Sequence, residues 1–167
     1  LEAKIIRLIK LIGEEVLIFE TFLQYLNRQQ EALVNNNLEA LQTVTRDQEL
    51  LAVRTTQVEQ ERKALVAELS VDLKRDQHDL TLSELTKLVS EPESNQIHSL
   101  QNTLLGLHDQ ISTIKARNDF LIRKSMEYIN TTMSQLGLAE APEKNTYSPE
   151  STRTSKASKT ALVDRRV

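Results

Sequence analysis

Catalytic chemistry has few candidates in this chain. Its histidines are His78, His98 and His108, and it has no cysteine. His98 and His108 stand ten residues apart, which on a helix sets them on different faces. No Glu-x-x-His pair of the di-iron bundle kind occurs. Three isolated glycines, Gly13, Gly106 and Gly137, build no phosphate loop, and no Ser or Thr stands in a visible arrangement with His and Asp. The expectation is a protein that is not an enzyme and takes no metal or cofactor. The side chains whose types and spacing do point to chemistry form a binding surface. Ile122, Met126, Ile129 and Met133 recur at steps of four, three and four beside Leu121, and both methionines of the chain belong to the stripe. Core packing against two neighbouring helices is one reading. The other is a client-binding groove for a partner's amphipathic helix, which flexible thioethers suit.

A longer seam contains that stripe's edge. Ile97, Leu100, Leu104, Leu107, Ile111, Ile114, Asn118, Leu121, Ser125, Tyr128 and Thr132 alternate three- and four-residue steps, the pattern of a long helix packed on other helices. The first half is apolar, whereas from Asn118 onward polar residues alternate with Leu121 and Tyr128. A buried Asn in such a seam fixes register at some expense of stability. Alternatively, Asn118 and Tyr128 flank a surface where an incoming helix docks, Tyr supplying a rigid apolar body with a polar tip.

The elements that must position these residues are all helical. One apolar face, Leu1, Ile5, Leu8, Ile12, Val16, Phe19, Leu23 and Leu26, predicts a first helix from about residue 2 to Val34. Gly13 lowers its helix propensity or marks a close approach. Asn35-Asn36-Asn37 stops it and restarts a second helix with Asn37 as N-cap. The second seam, from Leu38 to Leu69, is weaker, and its polar middle from Thr55 to Arg62 predicts exposure or an opening in the bundle. Glu59 and Arg62 read as an ordinary surface charge pair. Thr81-Leu82-Ser83-Glu84 fits a capping box that starts a short helix ending before Pro92. The last long helix begins near Glu93 or Ser94 and stops at Leu136, with Gly137 as a left-handed cap. The expected fold is therefore all-α, an antiparallel bundle of three long helices with a short connecting helix. Residues 1–138 form the bundle domain, and residues 139–167 form a flexible Ser/Thr/Lys-rich tail too polar to offset its ordering entropy.

Composition narrows the partners. Residues 1–138 hold 15 basic and 20 acidic groups, and residues 139–167 hold 6 and 4. An acidic body with 4% aromatics lacks the basic stripe that nucleic acid requires. The run from Ile5 to Ile12 is interrupted by Arg7 and Lys10 and followed by Glu14 and Glu15, too short and charged to span a bilayer. The same glutamates, with Glu20, oppose an anionic membrane surface. Absence of Cys is compatible with a reducing cytoplasm.

Several fragments carry a family likeness. They are Glu31-Ala32-Leu33-Val34 with Asn37-Leu38-Glu39-Ala40-Leu41, then Leu50-Leu51, Val58 to Leu65, Asn118-Asp119-Phe120-Leu121-Ile122, Tyr128-Ile129-Asn130 and Thr146-Tyr147-Ser148. In order and separation they resemble the FlgN-type flagellar export chaperones of type III secretion. Residues 70–96 match that pattern poorly, and Glu150-Ser151 replaces a Gly common there. The resemblance implies a cytoplasmic bundle, monomer or weak homodimer, that binds the terminal helix of flagellar hook-associated proteins, prevents premature assembly and delivers them to the export gate. It places client binding on the C-terminal helix, where the stripe of Leu121, Ile122, Met126, Ile129 and Met133 is the candidate by spacing, and the export-gate contact on the same helix, where Asn118 and Tyr128 are the candidates by position. The competing reading is a self-associating coiled-coil scaffold or adaptor, which would bury the whole seam from Ile97 to Thr132 in a homodimer. Removal of residues 139–167 is expected to leave the thermal midpoint nearly unchanged, and a large fall in a melting experiment would show that the tail packs on the body.

Overall fold

The computed structural model describes residues 1–76 and 80–138, so His78 and the expected tail lie outside the described residues. Four helices follow one another: α1 (Glu2–Val34), α2 (Leu38–Leu73), α3 (Leu82–Leu85) and α4 (Glu91–Gln135). The bundle of three long helices with a short connector is as the periodicity predicts.

Local chemistry sets the boundaries. Asn36 adopts φ 49°, and the N–H groups of Asn37 and Asn36 donate to the carbonyls of Ala32 (2.9 Å) and Leu33 (3.3 Å). This closes α1 with a Schellman pattern. Asn37 then accepts from the Ala40 N–H at 3.0 Å and opens α2. Helix α2 runs four residues past Leu69 and ends at Lys74, whose left-handed φ of 51° no Gly or Asn announces. Thr81 accepts from the Glu84 N–H at 3.2 Å, the first half of the expected capping box. Helix α4 starts earlier than the spacing suggests. The Glu93 carboxylate accepts from the Ser90 N–H (3.0 Å) and hydroxyl (2.7 Å), and Pro92 lies in the first turn, where a missing N–H costs nothing. Gly13 marks no close approach, because a Cβ there would meet nothing within 4 Å.

Helix α1 is the centre of the molecule. It packs along both α2 and α4, while α2 and α4 make no close backbone approach to each other. That explains why α1 buries Ile9, Leu11 and Ile18 in addition to the predicted face of Ile5, Leu8, Ile12 and Val16. A helix between two neighbours needs apolar surface on two sides. Helices α1 and α2 are antiparallel, as ion pairs from Lys4 to Asp72 (2.7 Å), Glu14 to Arg54 (2.7 Å) and Arg28 to Asp47 (3.8 Å) record. The hydrogen bond from Lys4 holds the Asp72 carboxyl below its ordinary range.

The core is concentrated at one end. Val58, Leu65, Val66 and Leu69 of α2 and Ile97, Leu104 and Leu107 of α4 join the first half of α1, closed off by Leu80, Leu82 and Leu85 around α3. Toward the α1–α2 turn the packing thins. Between Val44 and Val58 helix α2 has no buried residue, and an apolar cleft of about 250 Å³ opens beside Ile18, Phe19, Phe22 and Leu51. The opening expected in α2 therefore lies mostly N-terminal to the polar stretch on which it was read.

Arg62 is not a surface residue. Its Nε donates to the Glu15 carboxylate at 3.0 Å, and both side chains are only 8% exposed. Glu59 instead pairs with Lys63 at 3.0 Å. The Glu15–Arg62 pair spans α1 and α2 inside the core, and loss of one partner strands the other charge. Arg62→Ala is expected to cost about 3–5 kcal/mol in urea unfolding, whereas the joint replacement Glu15→Leu with Arg62→Met is expected to recover most of that loss.

Candidate functional site

The stripe on α4 takes its exposure from the relative lengths of two helices. Asn118 Nδ2 donates to the Leu26 carbonyl and to Gln29 Oε1, both at 2.9 Å. At the other end, Ser90 and Glu93 lie beside Leu1, Glu2 and Ile5. Helix α4 thus runs parallel to α1, one level after another. Helix α1 ends at Val34, five residues past Gln29 and eight past Leu26. The equivalent advance from Asn118 ends between Arg123 and Met126. From Met126 to Gln135, about 15 Å at the helical rise, α4 projects beyond the helix it packs on.

The predicted residues divide accordingly. Asn118, 1% exposed, is buried against α1. Leu121 is half-buried at the edge of that interface, and Ile122 lies at the margin of exposure. Met126 is 59% exposed, Ile129 56% and Met133 40%. The structure brings these last three and Ile122 together as one open apolar strip, unlike the core-packing reading of them. Tyr128, 74% exposed, flanks the strip. Asn118 matches the register-setting reading and offers no surface to a docking partner while α4 lies on α1, because its amide is spent on α1. Its Oδ1 is buried without a hydrogen-bond partner, so the lock is incomplete.

Two exposed residues continue the surface beyond the predicted set. Leu136 stands seven residues after Ile129 and is exposed, as is Leu138. The heptad interval Ile122, Ile129, Leu136 was the available signal, obscured because Leu136 was read as a helix end. That end is real: Gly137 takes φ 66°, and the N–H groups of Leu138 and Gly137 donate to the carbonyls of Met133 (3.0 Å) and Ser134 (3.2 Å). Near the root of the arm, Lys124 holds Glu127 at 2.7 Å, and that hydrogen bond lowers the Glu127 pKa.

Elsewhere the chemistry is sparse. A cleft of about 440 Å³ at the α1–α2 turn is lined by Arg28, Glu31, Asn35, Asn37 and Glu39 among others. Among the described residues no group of His, Asp and Glu is placed to hold a metal ion. No helix there is long and apolar enough to cross a membrane.

The FlgN protein family model matches residues 4–155, nearly the whole chain. The chain belongs to the FlgN family. No curated protein and no solved structure matches it. FlgN proteins are flagellar export chaperones, and the long helical bundle with an open apolar arm agrees with that class. The match continues past Leu138 into the segment read as a tail. The predicted sites sort into a FlgN body that α1 organises and an arm that it does not cover.

Truncating Asn118 tests the boundary between them. Asn118→Ala is expected to cost about 1–3 kcal/mol in chemical unfolding. Asn118→Leu, which removes the orphaned acceptor along with the donor, is expected to cost less.

Proposed function

We propose that this chain holds the terminal helical segment of flagellar hook-associated proteins on the projecting arm of α4, in the cytoplasm, prevents their premature assembly and delivers them to the export gate. The observation that carries the reading is the open strip of Ile122, Met126, Ile129 and Met133, apolar surface that no element among the described residues covers. A continuous exposed strip of this kind marks an interaction site. Amphipathic helices recognise such a surface through anchors at three- and four-residue spacing. The strip is narrow and bordered by Ser125 and Thr132, which suits a complex that must later come apart.

Tyr128 is the surface residue we assign to the export gate. It lies off the centre of the strip and remains reachable with a client in place. Asn118 joins such a contact only when α4 leaves α1. The alternative scaffold reading needs the seam from Ile97 onward for a homodimer, yet Ile97, Leu104, Leu107 and Asn118 are consumed within one chain.

The test is binding of purified hook-associated proteins. Ile129→Asp places a charge in the docking strip and is expected to weaken binding at least about tenfold, equivalent to about 1.4 kcal/mol. Helicity and melting temperature should stay nearly unchanged, since surface substitutions shift stability by about 0.5 kcal/mol or less. Undiminished binding, or loss of binding through unfolding, would overturn the assignment.

A further inference from the structure

Helix α4 is held on α1 unequally along its length. Of its residues after Leu107, Asn118 alone is buried, while Ile111, Ile114, Leu121 and Ser125 of the same seam are half-buried. The main core cluster takes its last α4 member at Leu107 and its last fully buried α1 member at Ile18. Leu26, buried farther along α1, stands outside it. Helix α2 is fastened to α1 by ion pairs over its whole length, from Lys4 with Asp72 through Glu15 with Arg62 to Arg28 with Asp47. Among the described residues no salt bridge joins α4 to α1, and Lys124 pairs within α4, with Glu127.

What ties the far part of α4 down is therefore one amide. Asn118 Nδ2 donates to the Leu26 carbonyl and to Gln29, yet its Oδ1 is buried without a partner. An unsatisfied buried acceptor carries a desolvation penalty, and opening relieves it because water then reaches the oxygen. The closed arrangement is penalised at the residue that secures it.

A weak point in the helix lies just before this stretch. Gly106 faces solvent between buried Leu104 and Leu107. A Cβ there would meet nothing within 4 Å, so no neighbour requires the missing side chain. Gly resists the bending of a helix less than Ala does, and small residues at such places absorb the backbone change of a hinge.

We infer that α4 is hinged at Gly106 and latched by Asn118, so that its part from Ile111 onward swings off α1 as a helix while the segment up to Leu107 stays in the core. Release uncovers Ile111, Ile114 and Leu121 and thereby extends the strip of Ile122, Met126, Ile129 and Met133 toward the core. A ligand that needs the longer surface binds the open form and shifts the population toward it. The hinge is independent of any client, while its use in capture rests on the reading of the strip as a client site.

The chain has no cysteine, so spin labels attach only where cysteines are introduced. Asn27→Cys with Arg123→Cys reports on the latch, and Lys10→Cys with Asn102→Cys reports on the core end; all four positions are exposed. Pulsed electron paramagnetic resonance on the full chain is expected to show a minor longer distance for the first pair and one narrow distance for the second. Asn118→Ala should raise the longer fraction at least about fivefold, and Gly106→Ala should lower it about threefold, with helicity by circular dichroism unchanged. A single narrow distance for the first pair in the Asn118→Ala background overturns the inference. So does broadening of both pairs together or loss of helicity, which would mean melting, and so does indifference to Gly106→Ala. A purified hook-associated protein that binds should raise the longer fraction. Binding without that rise removes the link between latch and capture and leaves the client reading standing. Absence of binding, with the distances responding to both substitutions, removes the client reading and leaves the hinge.

Discussion

Helix α4 has 45 residues and α1 has 33, and the two start level with each other. An apolar face on a helix must be covered by something, and among the described residues the only long helix packed along α4 is α1. Where α1 is present, Leu104 and Leu107 are buried; where it has ended, Met126 and Ile129 stand in the open. Apolar side chains continue across that boundary through Ile122, Met126, Ile129 and Met133, even as the neighbouring seam turns polar at Ser125 and Thr132. The difference is the presence or absence of a neighbour, so the length mismatch creates the candidate site more than any special residue does. Asn118 stands just before the boundary, tying α4 to the end of α1 by two hydrogen bonds.

The unequal distribution of the core has a thermodynamic counterpart. Hydrophobic packing, the Glu15–Arg62 pair and the plug of Leu80, Leu82 and Leu85 all belong to the end remote from the arm. Regions with dense apolar contact open only at high free energy, while thinly packed ends open cheaply. A partner docking on the arm as proposed would consequently leave undisturbed the region that keeps the chain folded. The cleft beside Phe19, Phe22 and Leu51 lies on the way between the two regimes, with Gln48 Nε2 buried there without a hydrogen-bond partner.

Most of the fold was legible in the sequence because helical caps and periodicity are local. The Asn triplet, Thr81 and Gly137 act as read. The errors arose where tertiary structure decides. Lys74 ends α2 without a residue type that signals it, and Pro92 opens a helix instead of standing outside one. Arg62 reads as surface on its own helix and becomes internal only because Glu15 arrives from α1. The centrality of α1 was written in its second apolar face, Ile9, Leu11 and Ile18, but a face becomes informative only when a helix is known to have two neighbours. For the site, the stripe was legible by spacing. Its exposure was not, since periodicity describes a core face and an unoccupied one identically. The same ambiguity left Asn118 open to two uses until its partners on α1 were known.

The glycine after α4 has a metric consequence. Gly137 terminates the helix by a fully hydrogen-bonded left-handed turn, so the free arm from Met126 to Leu136 has a fixed span of about 16 Å. A platform closed at one side by a hairpin and at the other by a rigid stop works as a gauge. Under the proposed client role it would accommodate roughly three turns of helix and leave anything longer overhanging the tip.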